Sequence, residues 1–345
     1  DIISGKYSKN SIKKSKKRIY RYKFIIPNNN PNLAQSILSK ILLVSLITFR
    51  LLTSRPKIVI LNLEVFANSL IIFICKLLFV PVICISHGEE ISLALKKTNW
   101  WKIKRKLLKL AYPMANGHIV MCHFVRELLI REVSVDKNLI DVIPSNIDIN
   151  KLPNKSLNKI NNKKNTFRLL SVGRIQKRKG FQHCINAVGL LNKKFNNIHL
   201  DIVGEGSYKQ KIKKLIYSNN LENNITLHGK VDEKKLSSLY QNSDLFILAH
   251  YQLENGDTEG CPTVFAEAGG FNLPVIGGTG GGAETIIDNY KNGIIVNACN
   301  IKELVNAIDY ILSNKDIAYT MGKAGREKVE RDHNSINAGK MFNSS

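Results

Sequence analysis

The stretch DTEGCPTVFAEAGGFNLPVIGG, Asp257 to Gly278, sets two glutamates on either side of a Gly-Cys-Pro step and closes on an apolar run ending in glycines. Pro262 suits the first turn of a helix, where its missing N–H costs nothing. TVFAEAGGF then reads as one short helix and LPVIGG as a buried strand. Glu259 falls in the loop before the helix, and Glu267 about one and a half turns inside it. Both carboxylates border a helix N-terminus, where unpaired N–H groups and the helix dipole favour an anion. Carboxylates that accept from hydroxyls, set around a phosphate-sized site, suggest a sugar nucleotide.

The same alternation extends in both directions. Apolar runs of strand length recur as YKFIIP, KIVILN, VPVICIS, GHIVMC and LIDVIP, then as FRLLSVG, NIHLDIVG, NITLHG, DLFILAH, LPVIGG and GIIVN. Continuous apolar strands separated by amphipathic stretches argue for parallel sheets covered on both faces. Asn150–Thr166 is polar, rich in Asn and Lys, and reads as a linker. The fold class expected is therefore α/β, with two doubly wound domains over residues 1–155 and 156–333 facing a cleft. Residues 334–345 are expected to form a C-terminal helix returning to the first domain. The most apolar window, Asn68–Ser86, is interrupted by Lys76 and Pro81. It predicts a buried helix, a break and a strand, since a spanning helix needs about 20 uninterrupted apolar residues.

The six cysteines are scattered with no metal-ligand spacing, which fits reduced thiols in the cytoplasm. Charge is more telling. The chain carries net +24, and residues 1–160 hold 27 basic against 9 acidic side chains. Basic runs of this kind attract acidic lipid or nucleic acid. Trp100–Tyr112 can form a helix among five cations, with Trp101, Leu107, Leu108 and Tyr112 either as apolar anchors for the inner face of a membrane or packed inward as in an ordinary surface helix. Aromatic residues are sparse among the basic runs and no nucleic-acid-binding motif occurs, so nucleic acid is not an expected partner.

In FRLLSVGRIQKRKGFQ a strand ends at Gly173, and Arg174 and Lys179 project from the loop that follows. Cations at the C-terminal end of a parallel strand lie where anionic ligands bind open α/β sheets. Lys177 and Arg178 are expected to face solvent. IVGEGSYKQ has only the first two glycines of a dinucleotide fingerprint and no acidic partner downstream, so a nicotinamide site is rejected.

Assembled in this order, the residues resemble the retaining glycosyltransferases of family 4, which have the two-domain GT-B fold. The resemblance runs from about Val82 to Asn334 through SVGRIQKRKG, LDIVGEG, ITLHGKVDEKKLSSLYQNSDLFIL, EGCPTVFAEAGGFNLPVIGG and GGGAETI, with weaker matches at VICISHGEE, ANGHIVMCHFVRELL and VIPSNID. The insertion LENGDTEGCP is similar to that of enzymes building bacterial exopolysaccharide or lipopolysaccharide. The resemblance implies transfer of a sugar from a nucleoside-diphosphate-sugar to a glycan or lipid-linked acceptor. It implies that Arg174 and Lys179 hold the donor diphosphate and that Glu267 accepts from the ribose hydroxyls. Glu259 would bind the donor sugar. The backbone of Gly260, Cys261, Pro262, Thr263 and Val264 would lie against sugar and phosphate, with Gly229 in the donor-binding set. His87 matches the cleft histidine that faces the donor sugar. Fixed cations and a helix N-terminus stabilise the departing phosphate without a metal. No Asp-x-Asp motif occurs in the sequence, so no metal and no cofactor are expected.

Family members normally open with a short strand and a Gly-rich loop. Here the first residues, DIISGKYSKNS, read as the tail of a second strand, and roughly 30 to 40 residues are expected to be absent on the usual length of a βαβ unit. Two other readings remain open on the sequence: a nucleotide-sugar epimerase of the same fold, and a donor-binding protein made inactive by truncation.

Overall fold

The computed structural model describes residues 2–4, 19–21, 33–62, 65–88, 91–92, 101–144, 147–149, 152, 166–195 and 197–334. The run YKFIIP, nearly all of the expected linker and residues 335–345 lie outside the described residues.

In chain order the first half contains β1 (Ile2–Ser4), β2 (Ile19–Arg21), α1 (Leu33–Ser54), β3 (Val59–Leu61), α2 (Val65–Leu77) and β4 (Val82–Ser86). These are followed by α3 (Trp101–Ala111), β5 (Gly117–Val120), α4 (His123–Val133) and β6 (Ile140–Val142). β1 and β2 pair in parallel, and a four-stranded sheet has the order β3-β4-β5-β6. The second half contains β7 (Phe167–Val172), α5 (Phe181–Leu191), β8 (Ile198–Val203), α6 (Lys209–Ser218), β9 (Ile225–Gly229) and α7 (Glu233–Gln241). Next come β10 (Leu245–Leu248), α8 (Val264–Gly270), β11 (Val275–Gly278), β12 (Gly293–Val296), α9 (Ile301–Ser313) and α10 (Lys315–Asp332). The chain divides into two compact units, residues 1–85 with 106–118, and residues 86–105 with 119–345.

In the first unit the apolar window breaks as its sequence requires. α2 ends at Leu77, and the chain turns through Phe79, which takes a positive φ of 56°, before β4 begins. Ile71, Ile72 and Cys75 of α2 are buried. Asn68 Nδ2 donates to Tyr112 Oη at 3.0 Å, and the His118 ring stacks on Tyr112 at 5.6 Å. Burial pushes the His118 imidazole down to about 4, so it is held neutral. Among the described residues no helix is long and apolar enough to cross a membrane.

Helix α3 corrects the choice of anchors. Leu108 and Tyr112 are fully buried and Leu107 is half-buried, because the helical period turns them inward. The Trp101 side chain lies outside the described residues. The outward stripe instead carries Ile103, 65% exposed, and Leu110, 52% exposed, beside the exposed Lys102, Lys106 and Lys109.

The second unit is a six-stranded sheet of order β12-β11-β10-β7-β8-β9, parallel throughout. Every residue of β10 and β11 is buried, which is why LFIL and VIGG carry no polar alternation. Helix α9 buries Leu304, Ile308, Ile311 and Leu312 on one stripe. Truncating one such residue, Ile308→Ala, costs roughly 2–5 kcal/mol by lost transfer energy and cavity formation. Asp201 in β8 is 1% exposed and is satisfied from both neighbouring strands, by Arg168 Nη2 at 2.8 Å and His228 Nε2 at 2.7 Å.

This strand order positions the site. From β7 the chain builds outward through β8 and β9, and from β10 it builds the other way through β11 and β12. The direction of winding therefore reverses between β7 and β10. In an open parallel sheet the crevice at the carboxyl ends of such a strand pair is where ligands bind.

Candidate active site

The loop leaving β7 carries Gly173, Arg174 and a single 3-10 turn at Lys177–Lys179, then enters α5 through Gly180 at φ +72°. Arg174 and Lys177 are exposed, whereas Lys179 is buried. Arg178 is buried as well, which corrects the expectation that it faces solvent. The 3-10 turn rotates its side chain inward, where it donates to Gln176 Oε1 and its Nε lies 3.9 Å from both Asp257 Oδ1 and Glu259 Oε2.

The loop after β10 meets these cations. Lys179 Nζ lies 2.5 Å from Glu259 Oε2, and both groups are about nine-tenths buried. Burial alone would raise the Glu259 carboxyl, but Lys179, Arg178 and His250 together hold it below the usual carboxylate range. His250, the second residue beyond β10, is fully buried; its Nδ1 lies 3.3 Å from Gly278 N. Burial pushes its imidazole down to about 4.

Helix α8 begins one residue later than the sequence suggests. Phe265 N donates to Pro262 O at 3.1 Å, a tight turn, and the first α-type bond runs from Glu267 N to Thr263 O at 3.0 Å. Thr263 is therefore the N-cap, Pro262 precedes it, and Glu267 is the fourth residue of the helix rather than one and a half turns inside. Tyr240 Oη, at the end of α7, donates to Glu267 Oε2 at 2.9 Å. Burial raises the Glu267 carboxyl, opposed by this hydrogen bond.

The backbone of the Gly260 step is enclosed by glycines. Gly282 N donates to Glu259 O at 3.2 Å, and a Cβ built on Gly282 would fall 1.9 Å from Gly260 O. Gly88, at φ +104°, approaches until its Cβ would lie 2.9 Å from Gly260 Cα. His87, exposed and directly before Gly88, is thereby brought beside the 260–264 loop. Cys122 Sγ, at the start of α4, donates to Gly260 O at 3.2 Å. Gly229 ends β9 at φ +67°, and its carbonyl accepts from Gly204 N at 2.8 Å. It sits at the carboxyl end of an outer strand, two strands from β7, whereas Lys179 and Glu259 meet from the loops after β7 and β10.

Three members of this arrangement carry no distinguishing signal in the sequence. Arg178 was hidden in a run of cations, and Tyr240 looked like one more apolar residue of an amphipathic helix. His250 follows an apolar strand with no motif around it.

Residues 154–328, half of the chain, match the sequence profile of the family described as glycosyl transferases group 1. The chain belongs to that family. Residues 4–151 match a second profile, glycosyltransferase family 4. Among curated relatives, this group 1 chain is 30% identical over 162 residues to a GDP-mannose-dependent alpha-(1-6)-phosphatidylinositol monomannoside mannosyltransferase of Mycobacterium tuberculosis, covering 47% of this chain and 42% of that protein. It is 26% identical over 168 residues to the putative colanic acid biosynthesis glycosyltransferase WcaL of Escherichia coli K12, covering 48% and 41%. The chain thus spans less than half the length of these two relatives. Its fold is similar to that of Anabaena HepE, solved in complex with UDP, with a TM-score of 0.73 at 17% identity, covering 95% of this chain and 85% of the other. The architecture of parallel-sheet α/β domains is therefore GT-B.

Proposed function

We propose that the protein transfers a sugar from a nucleoside-diphosphate-sugar to a glycan or lipid-linked acceptor in cell-surface polysaccharide or glycolipid synthesis, with retention and without a divalent metal. The observation that carries this reading is the buried contact of Lys179 with Glu259 at the winding reversal of one sheet, with Arg174 in the same loop as Lys179 and Glu267 in the helix that follows Glu259. The relatives support it in kind: the mycobacterial one uses GDP-mannose, the Anabaena one was solved with UDP, and WcaL is named for polysaccharide synthesis.

In this reading Arg174 and Lys179 take the diphosphate. Breaking the glycosyl–phosphate bond moves negative charge onto the leaving oxygen, and fixed cations in a dry site lower the barrier most where that charge develops. Lys179 pairs with Glu259, so a donor phosphate would share the ammonium while the carboxylate turns to sugar hydroxyls. Glu267, held by Tyr240, accepts from the ribose. The donor phosphate assists the acceptor hydroxyl on the same face of the sugar, with His87 opposite. Ile103 and Leu110, flanked by Lys102, Lys106 and Lys109, give α3 a face suited to an anionic bilayer and a lipid-linked acceptor.

The test is product analysis with UDP- and GDP-sugars and a bacterial lipid-linked glycan extract, in EDTA. A glycosylated product whose new bond keeps the donor's anomeric configuration is expected, with one nucleoside diphosphate released per sugar moved. A changed nucleotide sugar formed with no acceptor present would establish an epimerase instead.

A further inference from the structure

A cavity of about 520 Å³ lies beside the donor loop, between one stripe of α4 and the segment 252–258 that leads into Glu259. Pockets that bury small ligands fall in this size range. Phe124, Leu128 and Glu132 line one wall at helical spacing, Leu253 and Glu254 line the other, and Ser92 closes an end. The 252–258 segment is tied in place: Leu253 N donates to Asp257 O at 2.8 Å, Gly256 N to Leu253 O at 2.8 Å, and Thr258 Oγ1 to Gly280 O. The wall is thus built before any ligand arrives.

The charge of its lining is opposite in sign to that of the chain. In a chain of net +24, the described residues that line the cavity include two carboxylates and no Lys or Arg. Such a surface repels a phosphate, so it does not extend the diphosphate site. Ser92 is 3% exposed and its Oγ has no hydrogen-bond partner among the described residues, a standing cost that a new polar partner would relieve. Phe124 and Leu128 offer apolar surface on one wall, and Glu132 and Glu254 offer acceptor oxygens, one from each wall. An apolar platform with carboxylate acceptors and no cation fits a sugar ring, which has one C–H face and a rim of hydroxyl donors.

We infer that this cavity is a saccharide subsite that takes a neutral, hydroxyl-rich segment of the acceptor. Phe124 and Leu128 lie under the ring, and Glu132 and Glu254 accept from its hydroxyls. Thr258 lines the cavity and Glu259 is the next residue, so a glycan seated there extends towards the donor sugar. The word acceptor rests on the glycosyltransferase reading; the preference for a neutral saccharide rests on the cavity alone.

Saturation-transfer NMR on the full chain, with a panel of neutral methyl glycosides and disaccharides and with UDP as a separate probe, tests it. Transfer to at least one neutral saccharide is expected, lost in Phe124→Ala and in the exposed-site variant Glu254→Gln, while the UDP signal is kept in both. Glycosides carrying a phosphate or carboxylate should give weaker transfer than their neutral counterparts. No transfer to any neutral saccharide, or transfer unchanged in Glu254→Gln, would overturn the subsite. Loss of the UDP signal in the wild-type chain would count against the donor site and leave the saccharide result to be read separately.

Discussion

Lys179 Nζ sits 2.5 Å from Glu259 Oε2, and Arg178 Nε lies 3.9 Å from the same oxygen. A buried carboxylate between two buried cations is costly to unbalance. Removing one partner of a buried pair typically costs about 3–5 kcal/mol, because the other charge is left uncompensated. Glu259→Gln leaves Lys179 and Arg178 facing each other and should lower the thermal midpoint clearly. Lys179→Met in the same background should restore part of the loss. A melting series over the two single variants and the double variant checks this; additive losses would remove the coupling.

The pH dependence of stability follows from His118 and His250. Both imidazoles are pushed by burial from 6.5 to about 4. A group whose folded value lies below its unfolded one contributes stability above the unfolded value and loses it as pH falls. Between pH 6.5 and 4 each histidine should therefore cost about 1.4 kcal/mol per pH unit. Glu259 and Asp201, both held below their usual values, add a second loss as pH falls past the ordinary carboxylate range. Denaturant midpoints that stay level from pH 7 to 5 would contradict the histidine contribution.

Tyr240 Oη holds Glu267 Oε2 at 2.9 Å, so the phenol orients the carboxylate expected to meet the ribose. Tyr240→Phe should cost about 1 kcal/mol of stability, the usual worth of one such bond. It should also weaken nucleotide binding several-fold while leaving binding of inorganic pyrophosphate unchanged. Equal weakening of both probes in calorimetry would make the residue merely structural.

The strands were legible because their chemistry is local. VICIS, FRLLSV and LFIL each declare a buried parallel strand through an unbroken apolar run, and all three stand where the sequence places them. The pairing of Lys179 with Glu259 was not legible, since the two residues lie eighty positions apart and meet only through the winding reversal. Arg178 turns inward against expectation because a 3-10 turn, invisible in KRKG, leaves only Lys177 of three adjacent cations facing solvent. For Leu108 and Tyr112 the sequence leaves two readings open, because a basic amphipathic helix has two apolar aspects, and only the packed structure, in which both are buried, separates them.

The proposed docking on acidic lipid would run through the outward-facing Ile103, Leu110, Lys102, Lys106 and Lys109. Each cation near such a surface contributes about 1 kcal/mol, screened by salt. Vesicle co-sedimentation should rise with anionic lipid content and fall when the three lysines become glutamine. Equal binding to neutral and acidic vesicles would remove the membrane role.

In the proposed function the loop after β7 binds the diphosphate of the donor. Titration calorimetry with UDP and GDP in EDTA tests it most directly. Charge-assisted contacts contribute about 1.5–3 kcal/mol each, or roughly tenfold to over a hundredfold in affinity. The account predicts metal-free binding of at least one nucleotide, weakened by that factor in Arg174→Ala and unchanged in Lys177→Ala, two cations that are both exposed and three residues apart. Absence of binding to either nucleotide, a requirement for magnesium or manganese, or equal effects of the two substitutions would contradict it.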